Sequence, residues 1–413
     1  MKILFLQDDF PPQSFGGAGI SAYELAVGMQ KAGHEVFVIT ACRKESEAGE
    51  SYCQGLTVFK IASDYHERWR PWVSLYNPSV IRQVEFILKK IQPDVVHANN
   101  IHCYLSYHCL KIAKRYAKRV VWTARDAMAV SYGKLATDKY FQKLDPRLSW
   151  RDNLRQAGKR YNPLRNFLIR RYLNYADARF AVSEALKEVL EKNGIRSVAA
   201  IHTGIDAAAW QASAEAVTAF KSHRGLIGKK VVLFGGRLGA RREAVKAMRL
   251  VAERMPHAVL VVMGKDENAE AIKRDIPIFE RSSKNRDSNP RLDVVFTGWL
   301  SGEEKIVAYC ASDIVWVPSP YFDAFPRSAL EASAAGKPLI ATKFGGAPEL
   351  VVDGETGYVV NPFQSREIAD KTLALLQDPE KAAAIGRAGR ERVLKDFNFD
   401  TYIARYLAAY RSV

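Results

Sequence analysis

Short apolar runs of strand length alternate with longer segments of helical periodicity along most of the chain. KILFLQ (residues 2–7) predicts a first strand, residues 18–32 a helix, and EVFVITA (residues 35–41) a second strand. The loop before this helix, FPPQSFGG, is rich in proline and glycine. The order of strand, loop, helix and strand is one βαβ unit, which places its two strands in parallel.

The alternation continues and then begins again in the second half of the chain. Further apolar runs predict strands at DVVHAN (94–99), RVVWTA (119–124), DARFAVS (177–183), KKVVLFGGRL (229–238), AVLVVMG (258–264), DVVFTG (293–298) and DIVWVPS (313–319). A chain of 413 residues is long enough for two domains. We therefore predict two doubly wound parallel-sheet α/β domains, residues 1–200 and 207–378, that face a central cleft. Residues 379–413 predict helices, which we expect to pack back toward the N-terminal domain.

The net charge of +16 is concentrated in one part of the chain. Residues 111–175 hold 17 Lys or Arg against four Asp, a net charge of +13. Such a stretch predicts an anionic partner, which can be a membrane surface, a phosphorylated substrate or nucleic acid, although a solvated helical face has the same composition. Within it, the segment YNPLRNFLIRRYLNYA mixes apolar side chains with arginines, as basic helices on anionic membranes do.

Two other features of the composition indicate a cytoplasmic protein. No apolar run approaches the length of about 18 residues that a membrane span needs, and the start of the chain does not resemble a secretory signal. The five cysteines are scattered and form no C-x-x-C, which favours a reducing compartment over a disulfide framework.

The loops that follow the predicted strands are where ligands of parallel α/β sheets bind. After DIVWVPS, Asp323 lies in the loop and Glu331 about a turn and a half into the next helix. After the following strand, Gly345 and Gly346 allow backbone amides to approach a ligand closely. Carboxylates beside a helix N-terminus accept hydrogen bonds from sugar hydroxyls, and the glycine loop suits an anion. Either motif alone is also a helix cap or a tight turn, so the prediction depends on their combination.

The segment resembles the nucleotide-sugar signature of retaining glycosyltransferases of the two-Rossmann, GT-B type, family 4. The family pattern E-G-F-P-x-x-x-x-E-A corresponds to D-A-F-P-R-S-A-L-E-A here, followed by G-K-P-L-I-A-T, F-G-G-A-P-E-L-V and D-G-E-T-G. The resemblance extends along most of the chain, through FGGAG, PDVVHANNIH, SEALKEVL, TGID and GGRLGARR.

The resemblance implies a hexosyltransferase with no cofactor, in which a nucleotide-sugar is the donor substrate. It implies transfer from a UDP- or GDP-sugar to a glycan or lipid-linked acceptor at the cytoplasmic membrane face, as in cell-surface polysaccharide or glycolipid assembly. The basic stretch 111–175 then predicts contact with an anionic membrane surface. Because the chain has no D-x-D pair to hold a divalent ion on the diphosphate, we expect transfer without a metal.

The resemblance also implies site residues. The donor-binding residues are Gly16, Gly17, Arg237, Arg241, Arg242, Phe325, Pro326, Glu331, Gly345 and Gly346, the acceptor-side residues are His102 and Asp126, and the catalytic residues are Asp323, Arg125, Arg237 and Arg242. The arginines would hold the diphosphate, with Arg241 as good a candidate as Arg242. Glu331 would bind the ribose, Asp323 the transferred sugar, and the two N-terminal glycines would lie under the diphosphate.

Two positions depart from the family pattern. Asp323 stands where the family has Glu, so the carboxylate is one methylene shorter. Arg125 replaces the His of the family's T-x-H-D, which reads TARD here. An arginine is permanently charged and cannot be a base, although it can pair with a diphosphate or an acidic sugar. These departures support one alternative, an inactive homologue that serves as a partner subunit. A nucleotide-sugar epimerase, which has the same fold, is a further alternative.

Two other classes of function are less favoured. A group of histidines and cysteines suggests a metal site: His97, His102, Cys103, His108 and Cys109. They spread over a strand, a loop and a helix without ligand spacing, so core packing or acceptor contacts are expected instead and no metal is predicted. Nucleic-acid binding would explain the sequence pI of about 9.5, but the basic stretch contains no known reader motif.

Overall fold

The structure is a computed structural model that describes residues 1–12, 16–235, 241–264, 270–275 and 292–411. The chain forms two units. Unit 1 comprises Met1–Thr203 and Asp400–Val413, and unit 2 comprises Gly204–Phe399. The chain therefore passes from one unit to the other twice. No helix in the described ranges is both long and apolar enough to cross a membrane.

Unit 1 is built on an eight-stranded sheet with the order β3-β4-β2-β1-β5-β6-β7-β8. Its strands are β1 (Lys2–Leu6), β2 (Glu35–Cys42), β3 (Gly49–Cys53), β4 (Leu56–Ala62), β5 (Val95–Ala98), β6 (Arg119–Ala124), β7 (Ala178–Ala181) and β8 (Val198–Ala200). Strand β3 is antiparallel to β4, and the other neighbours are parallel. Its helices are Gly17–Lys31, Arg70–Val73, Pro78–Ile91, His108–Tyr116, Asp138–Lys143, Trp150–Ala157, Arg165–Leu173, Glu184–Lys192 and Phe399–Arg411.

Unit 2 is built on a six-stranded parallel sheet with the order β11-β10-β9-β12-β13-β14. Its strands are β9 (Lys230–Phe234), β10 (Ala258–Met263), β11 (Asp293–Gly298), β12 (Ile314–Val317), β13 (Leu339–Thr342) and β14 (Tyr358–Val360). Its helices are Ala214–His223, Arg241–Arg254, Gly302–Cys310, Arg327–Ala334, Ala347–Leu350, Ser365–Leu376 and Pro379–Asp396. The two sheets confirm the predicted pair of parallel-sheet α/β domains.

The strand order identifies one switch point in each sheet. In unit 1, β1 lies between β2 and β5, and in unit 2, β9 lies between β10 and β12. At such a point the loops on either side leave in opposite directions and open a crevice beyond the carboxyl ends of the strands. Each sheet therefore has a defined edge at which ligand-binding residues are expected.

The core of each sheet consists of apolar strand residues covered by helices. In unit 2, Phe234 and Trp316 are buried on β9 and β12 and belong to one cluster with Met248 and Ile368 of the covering helices. The indole Nε1 of Trp316 donates a 3.0 Å hydrogen bond to Thr372, so its one polar group is satisfied within the core. This packing fixes the strand ends from which the functional loops emerge.

The C-terminal helices divide between the units, which differs from the predicted single segment 379–413. Helix Pro379–Asp396 belongs to unit 2, where a Cβ on Gly386 would lie only 2.2 Å from the carbonyl oxygen of Gly336. Its Arg392 donates hydrogen bonds to the carbonyls of Glu349 and Leu350. Only the segment from Asp400 onward belongs to unit 1. The short distance between backbones at Gly386 explains why the first of these helices stays on unit 2.

The last helix attaches to unit 1 through buried tyrosines on one face, at a spacing of four residues: Tyr402, Tyr406 and Tyr410. The Tyr410 hydroxyl lies 2.6 Å from Nδ1 of His97 on β5, and the Tyr406 hydroxyl 3.1 Å from Oγ1 of Thr123 on β6. The other ring nitrogen of His97 lies 2.8 Å from the same Thr123 oxygen. Burial holds the pKa of His97 well below its usual value, and the charge of Arg125 adds to this effect. His97 is therefore a neutral core residue.

Replacement of Tyr410 by Phe tests this attachment. The substitution keeps the ring but leaves a buried nitrogen of His97 without its partner, which we expect to lower the free energy of unfolding by about 1–3 kcal/mol. Urea unfolding of the variant and the wild type measures the difference. Tyr52→Phe is the matched control, because Tyr52 is 75% exposed. Equal midpoints for Tyr410→Phe and the wild type would contradict the attachment.

Candidate active site

Two loops at the carboxyl edge of the unit 2 sheet are held in backbone contact. The loop after β12 carries Asp323 and the loop after β13 carries Gly345 and Gly346. The amide of Gly346 donates a 2.9 Å hydrogen bond to the carbonyl of Asp323. Gly345 has φ +74°, and a Cβ added there would lie 2.0 Å from the same carbonyl oxygen. Only glycine fits at position 345, so the glycine pair sets the distance between the Asp323 loop and the loop after β13.

The residues between Asp323 and its helix are packed rather than exposed. Phe325 is buried, and its ring centroid lies 5.6 Å from that of Phe397. Pro326 is the N-cap of helix Arg327–Ala334. The fixed φ of a proline suits the start of a helix. A third loop, after β9, begins at Gly235, where a Cβ would lie 3.2 Å from the Tyr309 hydroxyl. Three strand ends therefore meet at one place.

Glu331, on the helix that follows the Asp323 loop, accepts three side-chain hydrogen bonds. It is 3% exposed, and its Oε1 accepts from Lys305 at 2.6 Å and from Arg327 at 2.8 Å. Its Oε2 accepts from the Tyr309 hydroxyl at 3.1 Å. Burial, with the nearby Glu331 charge, raises the pKa of Tyr309 well above its usual value, so the hydroxyl stays a donor. One carboxylate between two cations leaves this buried group with an excess positive charge.

Lys305, Tyr309 and Arg327 were not predicted as site residues. Arg327 stands four residues before Glu331 on one helix, which is the spacing of an ion pair and was a usable signal. Lys305 and Tyr309 come from a different helix, Gly302–Cys310, and the sequence does not indicate which side chains of that helix reach Glu331.

Two of the three arginines predicted for the diphosphate, Arg241 and Arg242, share one buried partner. The Nε of Arg241 donates to Asp275 at 2.7 Å, and the Nε of Arg242 lies 3.4 Å from the other oxygen of that carboxylate. Asp275 is 4% exposed, whereas the Arg242 side chain is 62% exposed. Arg242 is therefore held more loosely than Arg241. Arg237 lies outside the described residues.

The carboxyl edge of unit 1 carries a second polar group, centred on Asp8. This carboxylate follows β1, is 2% exposed and accepts backbone hydrogen bonds from Cys103, Tyr104 and Leu105 at 2.6–2.9 Å. Burial raises the pKa of Asp8 to about 6, although the His102 charge and the three amides oppose that rise. Asp8 was not predicted as a site residue. It fixes the loop that carries His102.

The structure brings together the two predicted acceptor-side residues, His102 and Asp126. The Nε2 of His102 lies 3.6 Å from a carboxylate oxygen of Asp126, which also accepts a 2.8 Å hydrogen bond from Asn100. Burial alone would lower the pKa of His102. The Asp126 charge, the Cys103 contact and the Asp8 charge outweigh burial and raise that pKa to about 10. The imidazole is therefore protonated at neutral pH and forms an ion pair with Asp126.

The predicted N-terminal glycines lie at the start of the first helix. Gly16 is the N-cap of helix Gly17–Lys31 and Gly17 its first residue, and both are exposed. A Cβ on Gly19 would lie 2.6 Å from the carbonyl of Asp9, which follows β1. The helix start therefore lies directly against the backbone after β1, at the same edge as Asp8.

Arg125 lies in the core of unit 1 and contacts the C-terminal helix. It is 8% exposed, its Nε donates to Asn99 Oδ1 at 2.9 Å, and its Nη2 donates to the Tyr402 hydroxyl at 3.2 Å. Within the described ranges, Asn99 Nδ2 is buried and has no hydrogen-bond acceptor. A buried guanidinium and an unsatisfied amide thus lie side by side at the ends of β5 and β6.

Models of two known protein families together match most of the chain. The family described as Glycosyltransferase Family 4 matches residues 15–209, and the one described as Glycosyl transferases group 1 matches residues 218–392. The chain belongs to glycosyltransferase family 4. It is a glycosyltransferase that uses a nucleotide-sugar, and the predicted resemblance is confirmed.

Relatives of this glycosyltransferase differ in what they transfer. It is 26% identical to a glycogen synthase of Mycobacterium tuberculosis over 435 aligned positions, which cover 100% of the chain and 95% of the relative. It is 29% identical to a GDP-mannose-dependent alpha-(1-6)-phosphatidylinositol monomannoside mannosyltransferase of Mycolicibacterium smegmatis over 257 positions, covering 59% of the chain and 64% of the relative. The solved structure of Anabaena HepE in complex with UDP and glucose is similar over 100% of both chains, with 19% identity and a TM-score of 0.71. That likeness shows the GT-B fold.

Replacement of Gly345 by Ala tests the contact between the two glycosyltransferase loops. The Cβ would collide with the Asp323 backbone and the residue would keep a left-handed conformation, so we expect a loss of about 2–5 kcal/mol in the free energy of unfolding. Gly354→Ala is the matched control: it has φ +80° with nothing within 4 Å of an added Cβ, and should lose only about 1–2 kcal/mol. Equal losses in urea unfolding would show that the loops do not need the close contact.

The pH dependence of stability tests the state of His102. Because folding raises the pKa of His102 from about 6.5 to about 10, the protonated form stabilises the fold fully below pH 6.5, and this contribution disappears as pH rises toward 10. We expect the free energy of unfolding to fall across this range by roughly 2–4 kcal/mol more in the wild type than in His102→Gln. Parallel pH curves in urea unfolding would contradict the raised pKa.

Proposed function

We propose that this glycosyltransferase transfers a sugar from a UDP- or GDP-sugar with retention of configuration and without a metal. The acceptor is a glycan or a lipid-linked molecule at the cytoplasmic face of a membrane. The observation that supports this best is the contact between the Asp323 loop and Gly345, next to the helix that carries the buried Glu331. It provides backbone amides, a helix N-terminus and a carboxylate at one strand edge, which suit a sugar diphosphate.

Arg241 and Arg242 provide the charge that the leaving diphosphate requires. Their partner Asp275 carries one negative charge against two positive charges, so the group remains attractive to an anion. Arg242, which is 62% exposed and 3.4 Å from Asp275, moves to the diphosphate at the smaller cost. Guanidinium groups match phosphate oxygens in geometry, so they can stabilise the departing group in place of a divalent ion.

Glu331 retains capacity for the nucleotide ribose. A carboxylate has about four acceptor positions, and the three observed hydrogen bonds leave one of them on Oε2. In the proposed complex a ribose hydroxyl donates to that position. Lys305 and Arg327 hold the carboxylate in place, so its orientation does not depend on the ligand.

Retention follows if the acceptor attacks from the face that the diphosphate leaves. The bond between the sugar C1 and the phosphate oxygen breaks, the acceptor oxygen bonds to C1, and the acceptor proton passes to the leaving phosphate. Asp323 would hold a hydroxyl of the transferred sugar during this step. His102, protonated by its contact with Asp126, would donate a hydrogen bond to the acceptor and would not act as its base.

The relatives support the proposed substrates without choosing between them. HepE is solved with UDP and glucose, and the mycobacterial mannosyltransferase is GDP-mannose-dependent by name, so either base is compatible. One relative elongates glycogen by name and another acts on a phosphatidylinositol monomannoside. The net charge of +13 in residues 111–175 favours an acceptor at an anionic membrane surface.

The first experiment measures thermal stability with UDP- and GDP-sugars. A ligand at 100 times its dissociation constant should stabilise the wild type by about 2.7 kcal/mol, and Arg242→Gln and Glu331→Gln should reduce the gain. Arg254→Gln, an exposed change on the Arg242 helix, is the control and should keep it. Measurement of the same samples with EDTA tests whether a metal is needed. The anomeric configuration of the product tests whether the configuration is retained.

Three results would overturn parts of the proposal. No stabilisation by any donor would favour the inactive partner subunit. Release of an epimerised product in the absence of acceptor would favour the epimerase. A product of inverted configuration would exclude retention while leaving the donor site intact.

A further inference from the structure

A basic cavity lies in unit 1, away from the carboxyl edge of the sheet. Its volume is about 340 Å³, and its lining residues come from the end of helix Arg165–Leu173, from β7 and from the segment before β8. Strand β7 begins at Ala178 and β8 at Val198, so the cavity lies at the amino ends of these strands. Asp8, His102 and Asp126 lie at the opposite edge. The cavity is therefore not part of the site described above.

The lining of the cavity is strongly positive. It contains four arginines and no acidic residue: Arg170, Arg171, Arg179 and Arg196. The nearest acidic residue in sequence, Asp177, is already bound by Lys114 and the amide of Val120. The arginine charges of the cavity are therefore not neutralised by its own walls.

Two of these arginines build the cavity. Arg179 donates hydrogen bonds to the carbonyls of Leu173 and Arg196 at 3.0 Å and to Asn174 Oδ1 at 3.2 Å. These bonds tie the helix end, the strand and the loop before β8 together. Arg170 donates to the carbonyl of Asn193 at 3.4 Å and lies against Gly194. The walls are thus held without a ligand.

The other two arginines of the lining are available to bind a ligand. Arg171 and Arg196 are exposed, and within the described ranges neither has a carboxylate within 4 Å. Phe167, 57% exposed, lies one turn before Arg170 and Arg171 and also lines the cavity. Guanidinium groups that line one cavity beside an aromatic ring are suited to a phosphate group on a small polar or sugar-like body.

We propose that this cavity is a second anion site, which binds a phosphate group through Arg171 and Arg196. The phosphate is that of a phospholipid headgroup or of a soluble phosphorylated sugar or polyol. The sequence does not indicate this site as a run of charge, because Arg179 and Arg196 lie outside the basic stretch 111–175. They lie beside its arginines only in the folded chain. It does not depend on the proposed donor or acceptor.

The test compares two double variants with equal loss of charge. Arg171→Gln/Arg196→Gln removes the proposed ligands, and Arg155→Gln/Arg160→Gln removes two exposed arginines of the basic stretch that do not line the cavity. Each is measured for co-sedimentation with phosphatidylcholine vesicles containing phosphatidic acid, and for thermal stabilisation by glycerol 3-phosphate at constant ionic strength. Thermal stabilisation by the nucleotide-sugar is measured in parallel as a check on the separate donor site.

For a lipid phosphate, the cavity variant should bind vesicles about 30-fold less than the wild type and clearly less than the control variant. For a soluble phosphate, the cavity variant should lose stabilisation by glycerol 3-phosphate while both variants bind vesicles equally. If the two variants behave alike in both assays, the proposal is wrong and the arginines act only through net charge. Loss of donor binding in the cavity variant would also contradict it, whereas absence of donor binding in the wild type concerns the proposed function alone.

Discussion

The parallel direction of the strands is the constraint on which the chemistry of this glycosyltransferase depends. In a parallel sheet every carboxyl end lies at one edge, so loops far apart in sequence reach the same place. Asp8, His102 and Asp126 follow three different strands of unit 1, and Gly235, Asp323 and Gly345 follow three strands of unit 2. Each set is assembled by strand order rather than by proximity in the chain.

Charge at both edges is arranged in advance of any ligand. In unit 2, Asp275 and Glu331 each hold two cations, and in unit 1 Asp126 faces a protonated His102. A buried carboxylate with two cationic partners keeps those cations oriented and leaves an excess positive charge. Of these counter-charges only the exposed Arg242 would have to move toward a sugar diphosphate, which limits the reorganisation needed when the leaving group departs.

The sequence predicted the architecture and the strand-end loops, because periodicity and glycine placement depend on local physics. It also named His102 and Asp126, which the structure places 3.6 Å apart. It did not predict Asp275, Lys305 or Tyr309, since their partners are chosen by how helices pack. Arg125 illustrates the same limit. The residue type alone predicts a permanent positive charge, but only the fold shows that Arg125 donates a hydrogen bond to Tyr402, 277 residues away.

The position of the tyrosine-bearing helix affects how the protein is made. Unit 1 includes the first 203 residues and the last helix, with the whole of unit 2 encoded between them. The ribosome adds about 5–20 residues per second. Tyr402, Tyr406 and Tyr410 are therefore synthesised roughly ten seconds or more after β5 and β6. During that interval His97, Thr123 and Arg125 lack their tyrosine partners, although His97 still contacts Thr123 and Arg125 still contacts Asn99. Folding of the N-terminal unit is therefore completed last, although its strands are made first.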